Sequence, residues 1–131
     1  MRLDELDPTV DAQALKGRKG LRRIMLAGGY SVDGLKAAFQ GEAAFRQLVL
    51  LAALLIPLAF VFDVSRAERA ILIAAALLAP IIELINSAIE ATVDRISLEI
   101  HPLSKRAKDM GSAAQLLALT LIALVWAVIL L

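Results

Sequence analysis

The stretch "PIIELINSAIEATVDRI", Pro80–Ile96, decides how the rest of the sequence is interpreted. It continues the apolar run "AILIAAALLA" with no turn signal between them, so the two predict one long helix. At about 100° per residue, five polar side chains fall within one arc of roughly 100° on this helix. They are Glu83, Asn86, Ser87, Glu90 and Asp94. A helix apolar enough for lipid therefore has a single polar stripe.

Composition places the chain among membrane proteins. It has 131 residues, enough for one domain, and 60% of them are hydrophobic, against about 45–50% in soluble domains. The mean hydropathy is +0.75. The absence of cysteine excludes disulfides, thiolate metal sites and cysteine nucleophiles. The start of the chain is polar and is interpreted as no signal peptide, and no nucleic-acid partner is expected.

The pattern along the chain predicts an all-α membrane protein with three transmembrane helices and an N-terminal amphipathic surface helix. Residues 1–19 are interpreted as a flexible tail, and residues 20–131 as the membrane domain. Amphipathic helical pieces are expected over about 20–40, interrupted by Gly28, Gly29 and Gly34, with their basic face toward lipid headgroups. The spans are expected at about 43–62, 67–96 and 111–131, with a kink at Pro57 and a polar loop marked by Pro102.

The distribution of basic residues predicts the orientation in the membrane. Eight lysines and arginines precede Leu48, two lie between the first and second spans, four lie between the second and third, and none follows. The positive-inside rule then puts the N-terminus and the second loop in the cytoplasm, and the C-terminus outside. Glu83 is expected in the cytoplasmic half of the bilayer, Glu90 at its boundary and Asp94 beyond it.

The free-energy cost of placing charged side chains in lipid decides how the polar stripe is interpreted. An ionised carboxylate in mid-membrane costs roughly 2.5–3.5 kcal/mol on insertion scales, so such groups are usually functional. The alternative is that the stripe only joins helices, with a protonated and hydrogen-bonded Glu83. Three helices are too few to enclose five polar side chains in register. Alanines on the second and third spans permit close packing, so oligomerisation is expected.

Other groups are predicted on the same side of the membrane. Glu42 begins the first span at about the depth of Glu90, and two such carboxylates can share Mg²⁺. Alternatively, Glu42 only favours the helix dipole. Lys108 can contact a phosphate, and Asp109 can cap a helix or bind metal. The P-loop and protein-kinase signatures are missing, so a membrane enzyme and a proton-coupled transporter subunit both remain open.

Three blocks, "EAAFRQ", "IIELINSAIEATVDRI" and "KRAKDMGSAA", resemble the prokaryotic integral-membrane diacylglycerol kinase family. The resemblance covers about residues 20–130. It implies a homotrimer of three-span subunits in the bacterial inner membrane. It also implies transfer of the γ-phosphate of ATP to diacylglycerol, giving phosphatidic acid, with Mg²⁺ as cofactor.

The resemblance also implies roles for individual residues. Glu83 would be the general base, Glu42 and Glu90 would hold Mg²⁺, and Asn86 with Asp94 would orient the site. The residues implied to bind ATP are Arg23, Tyr30, Glu42, Glu90, Glu99, His101, Lys108 and Asp109. Those implied to bind the lipid are Arg23, Ala27, Gly28, Gly29, Tyr30, Ser31, Glu83 and Ser112.

Some features depart from the family pattern. The N-terminal tail is long, "HPL" stands where an acidic residue often follows the histidine, and Pro80 is expected to bend the helix beside Glu83. A branch of the same family phosphorylates undecaprenol, so that acceptor is the alternative. "KDMGSAA" resembles the diacylglycerol branch.

Overall fold

The computed structural model describes residues 20–131, which contain four helices: α1 (Leu21–Gly41), α2 (Ala43–Ala59), α3 (Arg66–Ile96) and α4 (Pro102–Leu130). The tail predicted at 1–19 lies outside the described residues. The chain divides into two compact units before Glu42, so α1 and the part from Glu42 onward are described separately.

Helix α1 is one continuous helix rather than the interrupted pieces that its glycines predicted. Gly20 precedes it at φ +78°, a conformation that favours glycine, and its carbonyl accepts from Arg23 N at 3.1 Å. Helical glycines lower stability without forcing a break. Ala38 is the buried residue of this helix, and its apolar side chains Leu21, Ile24 and Met25 are largely exposed.

Two helices, α3 and α4, are each long and apolar enough to cross a membrane. Helix α2 has 17 residues and counts as a third candidate only when it is taken together with α1 as one broken span. Helix α2 ends at Ala59, two residues after Pro57, where the sequence predicted a span reaching residue 62. The chain therefore has two to three candidate spans by length and composition.

Helix α3 begins with the sequence pattern of a capping box, Ser65 followed three residues later by Glu68. Ser65 is the N-cap, and its Oγ accepts a hydrogen bond from Glu68 N at 3.1 Å. The helix continues through Pro80, which is buried within it. Because Pro80 has no N–H, the carbonyl four residues earlier has no donor at this point of the helix.

Helix α4 begins at Pro102 and not at Gly111, so the polar loop predicted between the second and third spans is shorter than expected and covers only residues 97–101. His101 is the N-cap and accepts from Leu103 N through Nδ1 at 3.1 Å, and Pro102 follows where its missing N–H costs nothing. The residues "SKRAKD" are therefore helical, which fixes the spacing of Lys105, Lys108 and Asp109.

Small residues let α2, α3 and α4 pack closely. The core cluster consists of Leu48 from α2, Ala75 and Ala79 from α3, and Ala118 and Ile122 from α4. With so little side-chain volume between them, the helices are held by close van der Waals contact. Helices α3 and α4 run antiparallel: Trp126 Nε1 donates to the Leu72 carbonyl at 3.3 Å, and Lys108 pairs with Asp94 at the opposite end.

Candidate functional site

The buried charge of the described core is Glu83, which is only 6% exposed. It lies one turn beyond Ala79 on the packed face of α3, on the cytoplasmic side of the core cluster as the sequence orients the chain. Glu90 and Glu42 are both close enough to repel the Glu83 carboxylate electrostatically. Three carboxyl groups from two helices therefore act on one another at this point.

Glu42 is the N-cap of α2, yet its side chain makes no capping hydrogen bond. Its carboxylate is half-buried and is not used to begin the helix. The interpretation that Glu42 serves only the helix start thus lacks the side-chain bond that would support it. Among residues 20–131, no group of three or more histidine, aspartate or glutamate side chains is gathered closely enough to hold a metal.

Asn86 lies between Glu83 and Glu90 in the sequence of α3, on the same stripe. A Cβ placed on Gly111 of α4 would lie 1.9 Å from Asn86 Oδ1 and 3.0 Å from Asn86 Cγ. Only a glycine at 111 lets the two helices approach closely enough for the Asn86 amide to lie between them. The sequence analysis missed this role of Gly111, although a glycine inside an otherwise apolar helix is a signal for close packing.

The ends of α3 and α4 that flank the turn between them are joined by an ion pair. Lys108 Nζ lies 2.7 Å from Asp94 Oδ1, and the two side chains are 41% and 48% exposed. Lys108 also interacts electrostatically with Glu90. Asp109 pairs with Lys105 one turn earlier on the same helix. Both lysine ammonium groups of this segment thus have carboxylate partners.

An open cleft of about 210 Å³ lies beside this ion pair, at the turn between α3 and α4. It brings together four of the polar residues singled out from the sequence: Asp94, Glu99, His101 and Lys108. The lining also contains Ser97, whose Oγ accepts from Glu99 N at 3.0 Å and so orders the turn. His101 forms the cleft wall while its Nδ1 caps α4, which leaves Nε2 as the nitrogen that carries the proton in the neutral ring.

The remaining predicted residues fall into two groups. Ser112 is exposed on α4 beside Gly111. Arg23, Ala27, Gly28, Gly29, Tyr30 and Ser31 all lie on α1 and are exposed. Within α1, Ser31 Oγ donates to the Ala27 carbonyl at 2.9 Å.

Comparison with known proteins identifies the family. The family described as prokaryotic diacylglycerol kinase matches residues 29–130. The chain belongs to this family. A diacylglycerol kinase of Pseudomonas aeruginosa is 70% identical over 116 residues, which cover 88% of this chain and 94% of the relative. That of Escherichia coli strain K12 is 49% identical over 111 residues, covering 85% and 91%.

The diacylglycerol kinase of Haemophilus influenzae is 46% identical over 107 residues, covering 82% of this chain and 91% of the relative. The resemblance inferred from the three sequence blocks is therefore confirmed. The matched residues 29–130 include every site residue singled out from α2, α3 and α4. As a membrane protein of the diacylglycerol kinase family, the chain has two to three candidate spans.

Proposed function

We propose that this protein is a lipid kinase that transfers the γ-phosphate of ATP to the free hydroxyl of diacylglycerol. The observation that carries the proposal is a buried Glu83, in a chain of this family, with Glu42 and Glu90 near it. In the reaction the lipid oxygen forms a new P–O bond as the bond to ADP breaks. The hydroxyl proton passes to a base, and the product is phosphatidic acid.

Glu83 is the proposed base. A carboxylate on the packed face of α3 meets a lipid alcohol at the depth where an acylglycerol headgroup resides, just inside the membrane surface. General-base catalysis of this kind contributes roughly 10²–10⁴-fold to a rate. Glu83 is shielded from water, so a hydroxyl bound beside it does not compete with many solvent molecules.

Glu42 and Glu90 are the proposed Mg²⁺ ligands. Their half-buried carboxylates offer oxygen donors from two helices, and Mg²⁺ in nucleotide sites needs only one or two protein carboxylates because phosphates and water complete its shell. The Glu42 carboxylate makes no capping hydrogen bond, so it is consistent with a role as a metal ligand. When bound, the ion neutralises phosphate charge. Without it, the repulsion among Glu42, Glu83 and Glu90 remains uncompensated.

The cleft beside Asp94 is the proposed nucleotide region. Lys108 supplies positive charge to a phosphate, and Asp109, Glu99 and His101 line or flank its approach. Asp94 holds the Lys108 ammonium at the end of α4, so it orients the lysine before a nucleotide arrives. Phosphoryl transfer depends mainly on such positioning and charge neutralisation.

Helix α1 is the proposed lipid-facing helix. Its Arg23 and Tyr30 are proposed to contribute to both substrates, and Ala27, Gly28, Gly29 and Ser31 to form a small-residue stretch over which the lipid lies. Ser112 of α4 is proposed as a separate lipid contact. The exposed apolar side chains of α1 support a surface position in the membrane. Asn86 orients the reacting groups from within α3.

The proposed assembly is a homotrimer in the bacterial inner membrane, with a cytoplasmic N-terminus and an outside C-terminus. The face of α3 opposite Glu83 carries Leu77, Ile81, Ile85 and Ile89, which are 36–53% exposed. An apolar groove of about 330 Å³ between Ile85 and Val93 lies on this face. Such a surface supports contact with a second copy or with lipid tails.

The deciding experiment supplies purified protein in micelles with Mg-ATP and either diacylglycerol or undecaprenol. The proposal expects radiolabelled phosphate in phosphatidic acid and at least tenfold lower kcat/KM with undecaprenol. Preferred labelling of undecaprenol would assign the other branch of the family. ATP-independent flux of ions through the protein after reconstitution into sealed vesicles, with neither lipid labelled, would favour the transporter.

The metal ligands have a separate test. Glu90→Ala should raise the Mg²⁺ concentration needed for half-maximal activity severalfold, because one of the two proposed carboxylate ligands is lost. Glu68→Ala is the matched control, since Glu68 is an acidic residue in the first turn of the same helix and belongs to none of the proposed sites. An unchanged metal titration in Glu90→Ala would remove that residue from the site.

A further inference from the structure

The amide of Gln115 is the polar group of α4 that the proposed mechanism does not use. Both Nε2 and Oε1 are buried, and within residues 20–131 neither has a hydrogen-bond partner. The other polar side chains deeper in this helix do have partners: Thr120 Oγ1 donates to the Leu116 carbonyl at 2.8 Å, and Trp126 donates to Leu72. A buried amide without a partner costs free energy, most of all in a membrane, and so needs an explanation.

A second buried polar group without a hydrogen-bond partner among the described residues lies on α3, the helix that packs against α4. Asn86 Oδ1 on α3 is also buried and has no hydrogen-bond partner in the described part of the chain. It touches the turn of α4 that contains Gly111, because a Cβ there would lie 1.9 Å from it. Gln115 is one turn further along the same face of α4, in the stripe of buried positions that runs through Gly111, Ala118 and Ile122.

The direction of helical side chains brings the two amides toward each other. A side chain on a helix leans toward the N-terminus of its own helix and covers the preceding turn. Gln115 therefore leans over Gly111, which has no side chain of its own to occupy that surface. Asn86 occupies the same surface from α3. An unpaired donor, Gln115 Nε2, and an unpaired acceptor, Asn86 Oδ1, are thus directed to the same stretch of the α3–α4 contact.

We infer that Gln115 is a positioning residue that holds Asn86 by donating a hydrogen bond from Nε2 to Oδ1. This inference rests on the proposed function and adds a residue to its machinery. An asparagine side-chain amide has two nearly equivalent orientations. When Oδ1 is held by α4, the Nδ2 hydrogens turn toward the stripe, where Glu83 and Glu90 stand one helical turn away on either side.

The consequence is kinetic. With the orientation fixed, Asn86 presents donors to the reacting oxygen atoms and not to the opposite helix. Without Gln115, the amide divides its time between two orientations, one of which presents an acceptor to negatively charged groups. The loss should therefore appear in kcat, whereas KM for ATP and for diacylglycerol should stay nearly constant, because Gln115 itself touches neither substrate.

The first test replaces Gln115 by methionine, which has similar length and no hydrogen-bond donor. Gln115→Met should lower kcat roughly 5- to 10-fold, the equivalent of one hydrogen bond, with each KM within twofold of wild type. In an Asn86→Ala background the same substitution should have no further effect. An unchanged kcat, or an equal proportional loss in both backgrounds, would overturn the inference. Thr120→Val is the matched control on the exposed face of α4 and should retain full activity.

A spectroscopic test does not depend on kinase activity. Asn86 is the only asparagine in the chain, so protein labelled with ¹⁵N-asparagine has one side-chain amide to observe. Its NMR resonances should shift in Gln115→Met and remain unchanged in Thr120→Val. Resonances of Asn86 that are identical in wild type and Gln115→Met would overturn the inference. Absence of kinase activity in the wild type would instead refute the proposed function, and the NMR result would still test the contact.

Discussion

The two ends of the α3–α4 pair, named cytoplasmic and outer after the orientation that the sequence predicts, differ in how their polar groups are partnered. At the outer end, Trp126 bonds the Leu72 carbonyl, and Arg69 donates to three carbonyls, those of Ala59, Phe62 and Val64, at 3.0–3.4 Å. At the cytoplasmic end, Asn86 and Gln115 have buried atoms without hydrogen-bond partners in the described residues 20–131, and three carboxyl groups repel one another. The outer end is held together by hydrogen bonds, whereas the cytoplasmic end retains unpaired polar groups that can bind a ligand.

This contrast indicates that the cytoplasmic end contributes less to the free energy of unfolding than the outer end. Unpaired buried polar groups each cost about 1–3 kcal/mol, so a stretch that holds several of them must be stabilised by its surroundings. The alanine-rich core between the two ends supplies that stabilisation by close packing. If the comparison is right, substitutions that remove a polar group at the cytoplasmic end should reduce activity with little loss of stability, and those that remove one at the outer end should do the reverse.

The largest expected effect is that of Glu83→Gln. Removing the proposed base while keeping the side-chain shape should lower kcat by roughly 10²–10⁴-fold. Stability should be equal or higher, because the repulsion from Glu42 and Glu90 disappears. Activity is measured with diacylglycerol and Mg-ATP, and stability by thermal unfolding in micelles. Glu68→Gln, the same change at the outer end of α3, should leave kcat unchanged. Near-normal turnover in Glu83→Gln would refute the base assignment.

The second effect comes from Gly111→Ala. The new Cβ would lie 1.9 Å from Asn86 Oδ1, so the amide must rotate or the helices must separate. Overpacking costs about 1–3 kcal/mol of stability, and displacing Asn86 should lower kcat roughly 10- to 100-fold.

The matched variants locate the clash made by Gly111→Ala. Gly34→Ala should be tolerated, because no atom lies within 4 Å of a Cβ built there. Adding Asn86→Ala to Gly111→Ala should restore stability but not activity. Stability that stays low in this double variant would show that the alanine meets something other than Asn86.

The sequence predicted the helical fold and the polar stripe because both depend on local periodicity. The spacing of Glu83, Asn86 and Glu90 in one chain segment is enough to put them on one helix face. The start of α4 was missed because "SLEIHPLSKRAKDM" is mostly polar, and because a proline such as Pro102 is as common in loops as at the first position of a helix. Its position became clear only from the His101 cap.

The contacts between helices could not be predicted from the sequence. Gly111 and Gln115 matter because of what α3 presents opposite them, and a single sequence does not give the register of two distant helices. The sequence analysis counted Arg69 only as one of two basic residues between the first two spans. In the structure it lies on α3 and donates hydrogen bonds to carbonyls at the end of α2 and in the loop that follows. Its role depends on the direction in which α2 ends.

Arg69→Ala tests the outer end. The variant removes hydrogen bonds to three carbonyls near the end of α2 and the stacking of the guanidinium over the Phe60 ring, at 5.6 Å. Because the group is only partly buried, the expected loss is about 1–2 kcal/mol in the free energy of unfolding. At a temperature where the protein stays folded, kcat should be near that of wild type.

Two further variants control for the loss of positive charge at the start of α3. Arg66→Ala removes an exposed arginine three residues earlier and should cost little. Arg69→Lys retains the charge without the planar fork and should recover only part of the stability. A loss of kcat in folded Arg69→Ala would contradict the division of the helix pair into a structural and a functional end.

The smallest expected effect is that of Trp126→Phe. This variant keeps an aromatic ring at the outer end but loses the hydrogen bond from Nε1 to the Leu72 carbonyl, which at 3.3 Å is a long one. The free energy of unfolding should fall by about 0.5–1.5 kcal/mol, as for one neutral hydrogen bond, with unchanged kcat and KM. Thermal unfolding in micelles measures the first quantity and lipid phosphorylation the second. Leu124→Val, which trims an exposed side chain of α4 next to this region, is the control and should cost less. Because Trp126 and Gln115 lie on one helix, a kinetic defect in Trp126→Phe would mean that the outer contact sets the register at Asn86, and the two ends would then no longer be separable.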